Sequence, residues 1–178
     1  MGGLFSRLFR SKQYNLLIIG LDNAGKTTLV QKMMNSSGAV AQTIPTIGLN
    51  VEETKFRNLR FVLWDLSGQR DQRNTWRHYY VGTNALIFVV DATDRKRIIE
   101  AKNEFDRVME EQQLAGLPCL MFVNKSDVSK AMSSAKIIKK FEINSEQLPH
   151  LRIQACSAIT GLGLNEGLTW LSNELKHK

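Results

Sequence analysis

The chain has 178 residues, 43% of them hydrophobic and 23% charged, and carries a formal net charge of +7. This length is most simply one domain, large enough to bury a core without disulfides or structural metals. No apolar run approaches the ~18 residues of a membrane-spanning helix. Arg7 and Arg10 interrupt the N-terminal apolar stretch, so we expect no secretory leader. The two cysteines, Cys119 and Cys156, lack metal-ligand spacing and are expected to be buried, reduced thiols.

The positive charge raises the question of nucleic acid as a partner. Aromatic residues are not interleaved with the basic ones, and no helix–turn–helix or RNA-binding signature is present. The charge is also uneven along the chain, with no acidic residue before Asp22. This distribution favours an anionic lipid surface or an acidic protein partner over nucleic acid.

Residues 1–12 predict a basic amphipathic helix that lies in a membrane interface. In a helix its apolar residues share one face: Leu4, Phe5, Leu8 and Phe9. Gly2 and Ser6 also fit the N-myristoylation pattern, which makes Gly2 a candidate lipidation site. The alternative is a helix packed on the protein body, and the two arrangements could be two states of one switch.

After residue 12, apolar strand-like runs alternate with helix-like runs. The strand-like runs lie at 15–20, 49–56, 59–65, 85–91, 118–124 and 151–156. The helix-like runs lie at 28–34, 97–112, 130–141 and 164–175. Arg57 and Asn58 are a plausible hairpin turn between the second and third strands, because Asn tolerates a positive φ. The alternation predicts that residues 13–178 form one α/β domain, with a six-stranded, mostly parallel sheet and helices on both faces. In such sheets ligands bind at the carboxyl ends of the strands.

The most informative stretch is 20–28, between the first strand and the first helix. Gly20, Gly25, Lys26 and Thr27 match the pattern G-x-x-x-x-G-K-[ST]. Glycines in such a loop let successive N–H groups converge on an anion at a helix N-terminus. The lysine can reach the β- and γ-phosphates, and the threonine hydroxyl is placed to ligate Mg²⁺. The candidate nucleotide contacts here are Asp22, Asn23, Ala24, Gly25, Lys26, Thr27 and Thr28.

Two further segments carry candidate contacts to the metal and the terminal phosphate. Pro45 keeps the residue before it extended, so that Thr46 could project its hydroxyl toward the metal, although many loop threonines are merely solvated. Asp65 ends an apolar strand and suits a direct or indirect hold on Mg²⁺. Gly68 could bring its N–H to a γ-phosphate, and Gln69 could orient an attacking water.

The motif Asn124-Lys-Ser-Asp127, directly after the fifth strand-like run, predicts guanine specificity. Guanine presents N1–H and an N2 amine side by side, and the Asp127 carboxylate can accept from both. Adenine would leave that carboxylate unpaired, which costs several kcal/mol. Asn124 can hydrogen-bond the base edge, and the stem of Lys125 can cover its face. A turn containing Ser157 and Ala158 follows the last strand-like run and could bring a backbone N–H to the guanine O6.

These motifs, in this order and spacing, resemble those of a small GTPase, and within that superfamily the ADP-ribosylation-factor and Arf-like family. The resemblance covers the whole chain. It rests on Met1-Gly2 with the amphipathic start and on segments 20–28, 45–48, 64–69, 76–80, 88–91 and 124–127. It implies a GDP/GTP switch in membrane trafficking that uses Mg²⁺ and hydrolyses GTP slowly. An activating protein, an exchange factor and effectors would be its partners. It further implies a monomer that is cytoplasmic and reversibly bound to Golgi or other endomembranes through its N-terminus.

In such proteins GTP shifts the hairpin, ejects the N-terminal helix onto membrane and exposes an effector surface. Three apolar residues read out the state, and they correspond here to Leu49, Trp64 and Tyr79. Leu49 departs from the usual aromatic residue, which affects effector choice. Ser67 stands where the family commonly has glycine, and it could restrict the backbone beside Gly68 and slow switching or hydrolysis. A second hypothesis is therefore a GTP-bound platform with negligible hydrolysis. A third, an ATP-dependent kinase, is opposed by the guanine motif.

Overall fold

The computed structural model describes residues 12–34, 47–57 and 59–177. The strands are β1 (Gln13–Ile19), β2 (Leu49–Phe56), β3 (Leu59–Leu66), β4 (Ala85–Asp91), β5 (Cys119–Asn124) and β6 (Leu151–Ala155). The helices are α1 (Lys26–Met34), α2 (Ile98–Met109), α3 (Ser134–Phe141) and α4 (Leu164–Lys176), with 3₁₀ helices at Arg73–Tyr79 and Gln112–Leu114.

The six strands form one sheet in the order β2-β3-β1-β4-β5-β6. Only the β2–β3 pair is antiparallel, and the other four pairings are parallel. The predicted α/β class and mostly parallel sheet are therefore confirmed. The register sets Ile18 opposite Asp65, and Asp91 opposite Asn124, so the carboxyl ends of the central strands share one edge. The candidate site residues follow these strand ends.

Successive side chains along the strands point to opposite faces of the sheet and form two cores, one on each face. One core includes Leu17 and Ile19 of β1 and packs against α2, α3 and the 3₁₀ helix Arg73–Tyr79. The other includes Leu16 and Ile18 and packs against α1 and α4. Because both faces are covered, residues 16–19 of β1 and 85–90 of β4 are continuous apolar runs, as parallel strands usually are.

Both cysteines are buried, as expected, and neither is in a disulfide. Burial in apolar surroundings raises the pKa of both the Cys119 and the Cys156 thiol, which keeps them protonated.

The predicted helices are right in position, but three of their boundaries are wrong. The first helix begins at Lys26, two residues before its predicted start. The predicted helix 97–112 is two elements, since α2 ends at Met109 and a separate 3₁₀ turn follows at Gln112–Leu114. The helix predicted to begin at residue 130 begins at Ser134. Its N-cap is Ser133, whose hydroxyl accepts from the Lys136 N–H at 3.3 Å, and this cap fixes the start of the helix.

The 3₁₀ helix Arg73–Tyr79 has no counterpart in the predicted elements. It is held by two buried side chains, Arg73 and Trp76. The hairpin was predicted correctly, and Arg57 has a positive φ of 54°. Asn58 lies outside the described residues.

The N-terminal helix, Gly2 and Thr46 also lie outside the described residues, so their predictions stand as expectations. None of the helices in the described part of the chain has the length and apolar character needed to cross a bilayer.

Candidate functional site

The loop between β1 and α1 has the backbone that a phosphate cradle requires. Gly20 and Gly25 have φ of 146° and 94°, and Asn23 has φ of 62°. A Cβ at Gly20 would lie 2.3 Å from the Val89 carbonyl oxygen on β4. A Cβ at Gly25 would lie 2.3 Å from Asn124 Nδ2. Both glycines are therefore needed for their conformation and for the space that their neighbours occupy.

Lys26 begins α1, and its side chain folds back over this loop. Its Nζ donates to the carbonyl oxygens of Gly20 at 3.0 Å and Leu21 at 2.9 Å. Burial lowers the pKa of Lys26 to about 8, although Asp65 and Asp22 act to raise it. The ammonium is thus poorly hydrated, and an anion in the loop would compensate it.

Thr27 and Asp65 meet at the start of α1 and the end of β3. The Thr27 hydroxyl donates to Asp65 Oδ2 at 2.6 Å, and Asp65 is fully buried. Hydroxyl and carboxylate oxygens are the hard ligands that Mg²⁺ accepts. Because the hydroxyl proton points at Asp65, the oxygen lone pairs point away from it. This arrangement suits a site in which Thr27 is a direct metal ligand and Asp65 orients the threonine without itself binding the metal. Thr28 lies beside Thr27 in the first turn of α1.

The segment after β3 lies directly on the phosphate loop. The Asp22 N–H donates to the Gly68 carbonyl oxygen at 3.0 Å, and a Cβ at Gly68 would lie 2.3 Å from that nitrogen. The Gln69 N–H donates to Ser67 Oγ at 3.3 Å. The Gln69 side chain accepts from Gln72 Nε2 at 3.3 Å. The structure therefore brings Asp22, Gly68 and Gln69 together at the loop.

Two arginines that sequence reasoning missed also contact this loop. The Arg97 guanidinium donates to Asp22 Oδ1 at 2.8 Å and to the Asp22 carbonyl at 3.1 Å. The Arg73 guanidinium donates to the Gly68 carbonyl at 2.8 Å and lies 3.4 Å from Asp22 Oδ1. Neither arginine belongs to a phosphate- or base-binding motif. They reach the loop only through the tertiary fold, so no signal in the sequence marks them.

Asn124 has other partners than the base edge that the sequence suggests. Its Nδ2 donates to the Ala24 carbonyl at 2.9 Å, and its Oδ1 accepts from the Ala158 N–H at 2.9 Å. The side chain is buried and ties the phosphate loop to the turn after β6. Within that turn, the Ser157 hydroxyl accepts from the Thr160 N–H at 3.1 Å. The sequence predicts that a backbone N–H of this turn meets guanine O6, and of these the Ala158 N–H already donates to Asn124.

Lys125 and Asp127 complete this side of the site. Lys125 adopts a positive φ of 62°, and its Nζ bridges the Asn23 carbonyl at 2.8 Å and Asp91 Oδ2 at 2.6 Å. Its stem therefore extends from the end of β5 to the phosphate loop. Asp127 is exposed at the same edge of the sheet, where its carboxylate can accept from a base.

This fold, with a lysine-bearing phosphate loop, a hydrogen-bonded Thr27–Asp65 pair and a guanine-type motif on one sheet edge, defines a nucleotide-binding protein of the small GTPase class. A sequence model of the ADP-ribosylation factor family matches residues 1–175. The chain therefore belongs to the ADP-ribosylation factor family.

A solved structure is similar over nearly the whole chain. It is that of the Arl6 BBS3 small GTPase from Trypanosoma brucei with the bound nucleotide analogue GppNp. It matches with a TM-score of 0.83 and 28% sequence identity, covering 93% of this chain and 98% of that one. The predicted family, fold and cofactors are thereby confirmed. The protein binds GTP and GDP with Mg²⁺ and hydrolyses GTP. Exchange factors, activating proteins and effectors are its partners.

Proposed function

We propose that this GTPase acts in membrane and vesicle trafficking and recruits effectors when GTP is bound. The observation that carries the proposal is a hydrogen-bonded path from Gln69 to the β2–β3 hairpin. Gln72 donates to the Gln69 side chain at 3.3 Å and accepts from the Gly48 N–H at 2.9 Å. The Gly48 carbonyl in turn accepts from the Ser67 N–H at 2.9 Å. A displacement at the terminal phosphate would therefore reach the residue that precedes β2.

The hairpin presents the apolar surface to which an effector would bind. Trp64 and Tyr79 pack edge to face, with ring centroids 6.1 Å apart. Val51 lies opposite Trp64 in the β2–β3 register and is 49% exposed, and Leu49 is 37% exposed. Exposed apolar groups of this kind are typical of protein-binding surfaces. Leu49, Trp64 and Tyr79 are our proposed effector contacts.

The nucleotide would be held by the residues that line the carboxyl ends of the strands. The N–H groups of the 20–28 loop and Lys26 would bind the phosphates, and Thr27 and Thr46 would ligate Mg²⁺. Bound Mg²⁺ neutralises charge that develops on the transferring phosphate. Gln69 is the proposed catalytic residue, because it can orient the attacking water.

The base would be selected at the opposite end of the site. Asp127 would accept from guanine N1–H and the N2 amine, and Lys125 would cover the ring. Asn124 would act by holding the turn with Ser157 and Ala158 against the phosphate loop, through the two hydrogen bonds of its amide.

The N-terminal segment would supply reversible membrane binding, with Gly2 as the acylated residue. Residues 1–12 form the proposed membrane helix, and residues 13–178 form the GTP-binding domain. The position of Lys12, the last residue of this segment and the first that the structure describes, supports coupling, because its carbonyl accepts from the Arg60 N–H at 3.3 Å, beside the turn of the β2–β3 hairpin. The expected protein is a cytoplasmic monomer that associates with Golgi or other endomembranes.

A second candidate function is a GTP-bound platform that hardly hydrolyses. The hydrogen bond from the Gln69 N–H to Ser67 Oγ favours it, since it restrains the backbone of the proposed catalytic residue.

The deciding measurement is the nucleotide carried by the purified protein, released by denaturation and separated by chromatography. GDP is expected for a switch that hydrolyses and then waits for exchange. GTP would favour the platform, and adenine nucleotide would contradict the assigned role of Asp127. An Asp127→Ala variant is the matched control, because it should lose guanine selectivity while the phosphate loop stays intact.

A further inference from the structure

The peptide group between Gly68 and Gln69 is held on both of its edges. Its carbonyl oxygen accepts from the Asp22 N–H at 3.0 Å and from Arg73 Nε at 2.8 Å. Its N–H donates to Ser67 Oγ at 3.3 Å. This unit, which we name the switch peptide, therefore has its oxygen fixed toward the phosphate loop.

Arg73 is positioned by carboxylates of α2. Its Nη1 lies 2.8 Å from Glu100 Oε1 and 3.3 Å from Glu104 Oε1, and its side chain is only 3% exposed. A buried guanidinium is stable only when its donors are paired. The two glutamates fix the plane of the guanidinium, and this leaves Nε aimed at the Gly68 carbonyl.

An arginine that served only to join α2 to the 3₁₀ helix would not need the hydrogen bond from Nε to the Gly68 carbonyl. Nε makes one of the two shortest hydrogen bonds of the side chain, and it runs to the segment beside the phosphate loop. Arg73 thus connects α2 to the Gly68 carbonyl, and its Nη2 also lies 3.4 Å from Asp22 Oδ1.

The Gly68 carbonyl competes with a bound phosphate for the Asp22 N–H. The Asp22 N–H belongs to the phosphate loop, and while it donates to Gly68 it is not available to a phosphate oxygen. GTP has a terminal phosphate that would need this part of the loop, whereas GDP does not. The observed position of the switch peptide should therefore favour GDP.

We infer that Arg73 is a positioning residue that holds the switch peptide over the phosphate loop and thereby sets the preference between GDP and GTP. The inference rests on the proposed phosphate-binding role of the 20–28 loop. Arg73 itself touches no nucleotide atom in this mechanism. It acts through the Gly68 carbonyl.

The test is Arg73→Lys in the full-length protein. Lysine keeps a cation beside Glu100 and Glu104 but has no Nε–H to hold the Gly68 carbonyl. Dissociation constants are measured for fluorescent GDP and for a fluorescent, non-hydrolysable GTP analogue. Loss of one charge-assisted hydrogen bond should lower the ratio of the GTP-analogue constant to the GDP constant about tenfold.

Arg77→Lys is the matched control. Arg77 lies in the same 3₁₀ helix but is exposed, and its Nε donates to the Asn74 carbonyl at 3.2 Å. Its replacement should leave the ratio unchanged. If Arg73→Lys also leaves the ratio unchanged while the parent protein binds both nucleotides, the inference is overturned. If the parent binds neither nucleotide, the proposed site itself fails.

A second variant covers the case in which Arg73→Lys does not fold. Glu100→Gln weakens the anchor of Arg73 at a side chain that is 33% exposed, and this position tolerates the change more readily. The same ratio should fall about threefold. An unchanged ratio in folded Glu100→Gln, with Arg73→Lys unfolded, would assign Arg73 to stability alone and overturn the inference.

Discussion

Ser67 is tied to three parts of the molecule. Its N–H donates to the Gly48 carbonyl at 2.9 Å, and its carbonyl accepts from Trp76 Nε1 at 2.9 Å. Its hydroxyl accepts from the Gln69 N–H at 3.3 Å. The backbone bonds do not depend on the side chain, so the specific effect of serine is to restrain Gln69.

Removing this restraint should speed hydrolysis. In single-turnover assays with an activating protein, we expect Ser67→Ala to raise the rate about threefold, because one neutral hydrogen bond is lost. Ser67→Gly should raise it further, since glycine also frees the backbone. Equal rates in all three proteins would show that the hydroxyl does not limit Gln69.

Lys26 should make nucleotide affinity depend on pH. Burial lowers the pKa of Lys26 to about 8 in the nucleotide-free protein, and bound phosphates would raise it. Binding above pH 8 must then take up a proton, so affinity should fall as pH rises, by at most about tenfold per pH unit.

Calorimetry in buffers of different ionisation enthalpy measures this uptake directly. At a pH of about 9 the apparent binding enthalpy should vary with the buffer, and at about 7 it should vary less, because Lys26 is mostly protonated there. Buffer-independent enthalpies at both pH values would contradict the lowered pKa.

At the scale of elements, the strands follow from local pattern, but the 3₁₀ helix Arg73–Tyr79 does not. Strands covered on both faces are continuous apolar runs, which the sequence displays directly. The 3₁₀ helix buries only Arg73 and Trp76 among its seven residues. The partners of these two side chains are Ser67 and α2. Contacts of this kind leave no periodic pattern in the sequence, so the element could not be predicted.

The site also has features that the sequence predicts and features that it does not. The phosphate loop could be predicted because its glycines, lysine and threonine lie close together in the chain, within 20–28, and their spacing is typical of the loop geometry. The partners of Asn124 could not, since Ala24 and Ala158 come from two distant loops. Contacts of Arg73 and Arg97 with Asp22 likewise depend on how α2 packs on the sheet.

Trp76 should stabilise the segment after β3 through its indole N–H as well as its ring. Trp76→Phe keeps most of the apolar contact but leaves the Ser67 carbonyl without its donor, at a cost of about 1–3 kcal/mol. Urea denaturation of the nucleotide-loaded protein measures this loss. Trp170→Phe, at a half-buried ring on α4, is the control and should lose less. Equal losses would assign the effect of Trp76 to ring volume alone.

At the scale of the whole molecule, a series of backbone contacts connects the phosphate loop, the β2–β3 hairpin and Lys12. Gly68 meets Asp22 at the phosphate loop, and Ser67 bonds the residue before β2. The first strand begins beside the turn of the same hairpin, at its other end, where the Lys12 carbonyl accepts from the Arg60 N–H. A change in hairpin position can therefore act on residues 1–11 without passing through either core.

This coupling predicts that membrane binding depends on the nucleotide. The acylated full-length protein is mixed with vesicles of phosphatidylcholine, with or without phosphatidylserine, and the bound fraction is measured by flotation. The form loaded with a GTP analogue should bind more than the GDP form. Phe5→Gln should weaken binding to both vesicles about tenfold, because it removes an aromatic side chain that would insert into the bilayer.

Arg10→Gln is the companion variant, since it alters charge and leaves the apolar face intact. It should weaken binding about fivefold on the anionic vesicles and not on the uncharged ones, because one arginine contributes about 1 kcal/mol only near a negative surface. Equal binding of the GDP and GTP-analogue forms would break the link between hairpin and N-terminus. The segment would then be a constant anchor, and the nucleotide would control effector binding alone.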